Sequence, residues 1–132
     1  MSLSETEKEV RYSGIPAVPP SSTVLKLAKV ASALIESPIN WVLCHIYPTG
    51  GSTIGYHSDR EALHTYVVSM SIGATRKFRF RKRGATKGFE YQLDLADGDV
   101  LVMKPGCQSK YAHSLIKEAK VKDPRINLTF RQ

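Results

Sequence analysis

Cysteine is scarce in this 132-residue chain: Cys44 and Cys107 stand alone, without a CxxC pair between them. That excludes a disulfide-framed scaffold and a cysteine zinc motif, and a reducing, intracellular setting is expected. Long apolar runs are missing too. The stretch VLKLAKVASALI is interrupted by lysines at helical spacing, so no membrane span is expected. The start, MSLSETEKEV, has no apolar core of the kind a secretory leader needs. Acidic residues are few after residue 75. Residues 76–132 hold 14 Lys and Arg against 6 Asp and Glu, whereas residues 1–75 hold 5 against 6. A basic C-terminal half points to a polyanionic partner, with a domain that merely runs basic as the other reading of charge alone.

The length and the 42% hydrophobic content fit one domain with a modest core. Residues 1–20 read as loosely structured, because GIPAVPP carries three prolines and a glycine. Ser21 or Ser22 caps a predicted helix running to about Glu36. Its apolar face is Val24, Leu27, Ala28, Ala31, Leu34 and Ile35, and Pro38 is its stop. From Trp41 onward the spacing predicts about eight short strands separated by turn signals. Among them are WVLCHIY, TYVVSMSI, TRKFRFRKR and FEYQLDL, the last with Phe89, Tyr91, Leu93 and Leu95 on one face. Such a run argues a sandwich, barrel or jelly roll.

Two patterns carry chemistry. His57 and Asp59 in GYHSDRE lie two apart and share a face if extended, and His113 in YAHSLI supplies a third ligand-type group. Two imidazoles and one carboxylate form the facial arrangement of non-haem Fe(II) oxygenases, with three coordination positions left open. Taken alone, the pattern is weak, because HxD is common and an exposed loop with a hydrogen-bonded strand histidine accounts for it. The second pattern is the ending RINLTFR. Ile126, Leu128 and Phe130 alternate with Arg125, Asn127, Thr129 and Arg131, so one strand face is apolar and the other bears two guanidiniums, an amide and a hydroxyl. A chelating co-substrate with a second carboxylate, such as 2-oxoglutarate, needs the planar, permanently charged fork that arginine offers.

With LCHIYPTGGSTIGYHSDRE, VVSMSIGATRKFRFRKR, LADGDVLVM, YAHSL and PRINLTFR in that order, the chain resembles the AlkB-type 2-oxoglutarate- and Fe(II)-dependent dioxygenases over about residues 41–132. The resemblance implies a mainly β fold, a double-stranded β-helix or jelly roll with one N-terminal helix. Residues 1–40 would form a shortened lid and helix region, with RYSG (Arg11–Gly14) a lid remnant, and residues 41–132 the core. It implies His57, Asp59 and His113 as iron ligands, and Tyr47, Arg125, Asn127 and Arg131 as the 2-oxoglutarate site. Glu61 matches an acidic position that touches the target base. Lys77, Arg79, Arg81 and Tyr111 are the remaining candidate substrate contacts, the first three as a basic stripe opposite Phe78 and Phe80.

The implied activity is oxidative removal of an N-methyl group, of the 1-methyladenine or 3-methylcytosine type, from DNA or RNA. Formaldehyde is released while 2-oxoglutarate and O2 are consumed to succinate and CO2. The base must leave any duplex, so a single-stranded or flipped methylated nucleic acid is the expected partner, and the enzyme is expected to be a monomer. Two positions depart from the family pattern. His45 replaces an asparagine two residues before Tyr47, and Arg60 stands where relatives carry an acid. The alternatives are an oxygenase acting on protein or a small molecule, and a nucleic-acid-binding jelly roll without catalysis.

Overall fold

In a computed structural model, which describes Arg11–Tyr12 and residues 15–132, most of the chain is antiparallel sheet. The acidic start MSLSETEKEV, and Ser13 and Gly14 of RYSG, lie outside the described residues. The two-residue strands β1 (Arg11–Tyr12) and β2 (Ile15–Pro16) pair with each other. Pro16 is therefore a strand residue, contrary to the reading of GIPAVPP. Its missing N–H is tolerated because a two-residue ladder leaves it at an edge.

Helix α1 (Ser22–Ile35) begins where the sequence places it. Ser21 is its N-cap, its hydroxyl accepting from the Val24 N–H at 3.2 Å. Glu36 closes the helix in the left-handed conformation (φ 52°). Val24, Ala28 and Ala31 are buried, with Leu27 and Ile35 packed against them. Leu34 departs from the predicted face and is exposed, because the stripe that meets the sheet is narrower than the apolar residues alone suggest.

Eight strands follow: β3 (Trp41–Tyr47), β4 (Ile54–His57), β5 (Val67–Gly73), β6 (Arg76–Lys82), β7 (Tyr91–Leu95), β8 (Val100–Met103), β9 (Tyr111–Leu115) and β10 (Arg125–Arg131). They form two four-stranded sheets, ordered β3-β10-β5-β8 and β4-β9-β6-β7, with every pairing antiparallel. This is the expected jelly roll. A 3-10 turn (Arg60–Ala62) and a single helical turn α2 (Cys107–Lys110) interrupt it.

The last strand is central. β10 pairs along all seven residues with β3 on one side and β5 on the other. Its Leu128 and Phe130 join Val42, Val68, Met70 and the buried residues of α1 in one core cluster, with Ile126 packed against it. The helix thus covers the apolar face of the sheet, and the polar face of β10 is turned between the sheets. There Arg125, Thr129 and Arg131 are buried.

FEYQLDL departs from expectation. Only Leu95 of its apolar set is buried, while Phe89, Tyr91 and Leu93 are exposed. The reason is topological: among the described residues β7 is an edge strand, bonded to β6 alone, and alternation cannot distinguish an edge from a covered interior.

Candidate metal centre

His57 is the last residue of β4 and stands in register with His113 on β9. Asp59 follows two residues later, before the 3-10 turn. One ligand atom from each of the three lies within 4.8 Å of the others. His57 Nε2 is 3.4 Å, and His113 Nε2 3.9 Å, from the same oxygen of Asp59. The Nδ1 of His57 lies 2.8 Å from the Gly55 carbonyl. With Nδ1 engaged there, Nε2 is the nitrogen turned to Asp59: it donates a hydrogen bond to the carboxylate while protonated and offers its lone pair to a cation once the proton leaves. Two imidazole nitrogens and a carboxylate oxygen this close together make a donor set that suits a divalent transition metal such as Fe(II), which would take the place of the proton His57 shares with Asp59.

Protonation agrees with that role. Burial, the largest cause, holds the His113 imidazole down at about 4, so it is neutral at physiological pH and able to ligate. Burial pushes the Asp59 carboxyl upward, but its hydrogen bond from His57 and the charges of Arg131 and His113 prevail, and it sits at about 2. The Asp59 hydrogen bond moves His57 upward. Phe78 stacks on the His113 ring with centroids 5.3 Å apart, and Phe80 meets it from another side.

The three residues open on a cavity of about 200 Å³ that also receives His45, Tyr47, Asn127 and Arg131. Its other walls include Leu43, Ile54, Phe78 and Met103, which are apolar. Arg125 and Arg131 stand at opposite ends of β10. The buried Arg125 donates to Ser71 Oγ at 3.0 Å, and its guanidinium carbon lies 5.5 Å from the Tyr47 ring centroid. Arg131 is held by carboxylates, 3.1 Å from Asp59 Oδ2 and 2.8 Å from Glu61 Oε1, and it also donates to Thr129 Oγ1. Asn127 is anchored to β5, donating to Ser69 Oγ and the Met70 carbonyl. His45 stacks on Tyr47 with centroids 4.2 Å apart and planes 6° apart. Burial, with the charges of Arg125 and His57, moves its pKa downward.

The remaining candidates lie elsewhere. Lys77, Arg79 and Arg81 alternate with Phe78 and Phe80 on β6, as their positions require, so they face away from the cavity. Arg79 stacks on Phe89 at 4.2 Å and Arg81 on Tyr56 at 3.8 Å. Beside the outer side of His57, Arg81 lines a second pocket with Arg60 and Arg83. Tyr111 packs edge-on to Phe80 and Tyr91 and is not part of the cavity wall.

Four contributors were not singled out in the sequence. Arg76, fully buried, donates to Glu118 and to the carbonyls of Thr49, Ser52 and Ile116. Parity with Phe78 and Phe80 is the signal that marks it as inward. Gln108, 1% exposed, accepts from the Asp59 N–H at 2.9 Å. Ser69 and Ser71 anchor Asn127 and Arg125. No local signal marks the glutamine or the serines.

Comparisons with known proteins give the family. The bovine DNA oxidative demethylase ALKBH2 is 35% identical over 132 residues, covering 92% of this chain and 48% of that protein. The human alpha-ketoglutarate-dependent dioxygenase alkB homolog 3 is 32% identical over 102 residues, covering 70% of this chain and 36% of the other. The chain therefore spans less than half the length of these two relatives. The solved structure of OsALKBH1 superposes with a TM-score of 0.65 at 23% identity over 91% of this chain and 69% of the other, a likeness of fold. Residues 3–131 match the 2OG-Fe(II) oxygenase superfamily, and the chain belongs to that family.

Proposed function

We propose that the chain is an Fe(II)- and 2-oxoglutarate-dependent dioxygenase that removes N-methyl groups from alkylated bases in DNA or RNA. The observation that carries this reading is one cavity shared by the His57, Asp59 and His113 cluster, Tyr47, and Asn127, Thr129 and Arg131 of β10, with Arg125 behind Tyr47. Relatives named as oxidative demethylase and as alpha-ketoglutarate-dependent dioxygenase support it.

Bound iron and 2-oxoglutarate would supply oxidation of the methyl group by O2, coupled to decarboxylation of the co-substrate. The chain's own residues have separate tasks. His57, Asp59 and His113 hold the metal on one face. Arg125 and Tyr47, at the far end of β10, receive the distal carboxylate of 2-oxoglutarate, the buried guanidinium pairing as a charged fork. Asn127 lines the path between. Arg131 fastens Asp59 and Glu61 to β10, which keeps the carboxylate ligand ionised and fixes Glu61 at the rim, where it meets the base. The apolar walls exclude water from the reacting carbon. Lys77, Arg79 and Arg81 contact the phosphate backbone outside the cavity, Arg79 and Arg81 pre-set by their aromatic partners. Tyr111 acts at the margin through the aromatic cluster around Phe80.

The test is succinate formation with Fe(II), with and without a single-stranded oligonucleotide carrying 1-methyladenine or 3-methylcytosine, with the methyl group followed by mass. Stimulated turnover with loss of the methyl group is the expected result. Turnover without demethylation would keep an oxygenase with a protein or small-molecule substrate. Salt-dependent oligonucleotide binding without turnover would favour a binding module. Replacing Arg79 and Arg81 together by alanine is expected to flatten the dependence of oligonucleotide affinity on salt by about two phosphate contacts.

A further inference from the structure

We propose that Gln108 is a positioning residue that sets the backbone of Asp59 and so tunes the affinity of the site for its metal. This rests on the reading of His57, Asp59 and His113 as ligands. Asp59 is the one member of the cluster outside regular structure. β4 ends at His57 and the 3-10 turn begins at Arg60, so no strand ladder fixes the Asp59 main chain. Its N–H is received by Gln108 Oε1 at 2.9 Å, from a residue 49 positions later.

The other end of the amide decides its orientation. Gln108 Nε2 lies 3.5 Å from the Met103 sulfur. A thioether is a weak acceptor and no donor for the oxygen, so the amide turns its oxygen to the strong Asp59 N–H donor and its nitrogen to the sulfur. A 99%-buried amide beside an apolar cluster of Ala62, Val67, Phe80 and Met103 carries a desolvation penalty that needs a polar purpose, and the Asp59 N–H is that purpose. Two further bonds fasten the same crossing. Ser58 Oγ donates to the Tyr111 carbonyl at 2.7 Å, and the Gly106 N–H to the Leu63 carbonyl at 3.1 Å. The ligand loop is thus registered against the turn that leads into the His113 strand, and Gln108 is the strut nearest the carboxylate.

The test uses Co(II) as the metal probe, titrated into the full chain in the presence of 2-oxoglutarate and read by visible absorption. Gln108→Met keeps the side-chain length and removes the acceptor. Val68→Ala, in the core cluster beneath α1 on the opposite face of the sheet, controls for general loss of stability. Gln108→Met is expected to weaken Co(II) binding by about 10–100-fold and to change the absorption envelope. Val68→Ala is expected to lower the melting temperature of the metal-free protein while keeping wild-type affinity and spectrum. Equal affinity in wild type and Gln108→Met, or parallel losses in both variants, overturns the strut. A wild-type chain that binds no Co(II) overturns the metal reading and the strut together. Should Gln108→Met not fold, amide exchange in the wild type decides the matter. Slow exchange at Asp59 supports the strut, and exchange at loop rates overturns it.

Discussion

Arg125 and Arg131 share a residue type, a strand face and near-complete burial, yet their surroundings divide them. Arg131 spends its guanidinium on Asp59 and Glu61. Among the described residues Arg125 has one hydroxyl partner, Ser71, and its Nε has no hydrogen-bond partner, which leaves unmatched positive charge at the Tyr47 end. Burial drives its pKa downward, but a guanidinium remains charged throughout the working range. A buried charge of this kind calls for an anion. Arg125→Ala is therefore expected to raise the KM for 2-oxoglutarate by roughly 10–100-fold, the equivalent of a charged hydrogen bond worth about 1.5–3 kcal/mol. Metal binding measured without co-substrate should be unchanged. Arg131→Ala should weaken the metal site itself. Alternation in RINLTFR made the inward polar face legible, but the division of labour along it was not. Asp59 and Glu61 lie some seventy positions earlier in the chain, and only the fold brings them to Arg131.

At the level of elements, the strands and the capped helix were legible because each follows from local chemistry: period-two alternation, a serine N-cap, turn residues. Edges were not: Tyr91 and Leu93 are exposed on β7, which among the described residues ends its sheet, and position in a sheet is not a local property. Loops were the least legible, and the one after β3 shows why. It is held by Arg76, which gathers the Thr49 and Ser52 carbonyls on one side and Ile116 and Glu118 on the other. Gly50 lies within this knot, its N–H donating to the Val121 carbonyl and its own carbonyl accepting from the Glu118 N–H. A Cβ at Gly50 would stand 1.9 Å from the Glu118 carbonyl oxygen, a backbone atom that cannot swing aside. Gly50→Ala is thus expected to cost at least about 1–3 kcal/mol, the usual price of overpacking. Because the loop follows Tyr47, the same change should raise the KM for 2-oxoglutarate. Denaturant unfolding and steady-state kinetics check the two effects, and a stable variant with normal kinetics would show that the loop adapts freely.

The whole molecule carries the record of its metal site in how its stability depends on pH. In the metal-free protein His113 titrates at about 4, against 6.5 in an unfolded chain. Between those values the unfolded state binds a proton that the folded state refuses, so stability falls as pH drops from about 6.5 to about 4. A displacement of that size corresponds to roughly 3 kcal/mol. Asp59 acts next. Its pKa of about 2 lies below the unfolded 3.8, so its contribution is present above 3.8 and is lost as pH falls toward 2. His57 acts in the opposite sense: its raised pKa adds stability below 6.5 that is lost as pH rises through the folded value. Its side chain is 35% exposed, so solvent screening leaves the smaller effect. The melting temperature of the metal-free protein should therefore decline below pH 6.5, well before the carboxylates protonate. A flat profile from 6.5 to 4 would mean that His113 is not held neutral. Loading the site changes the profile further. Metal is bound by unprotonated imidazoles, so the rise in melting temperature on adding Co(II) should be largest near neutral pH and vanish as the pH falls past the histidine range. His113→Gln removes both effects at once, the acid-side decline and the metal-induced rise, because the same buried nitrogen is responsible for each.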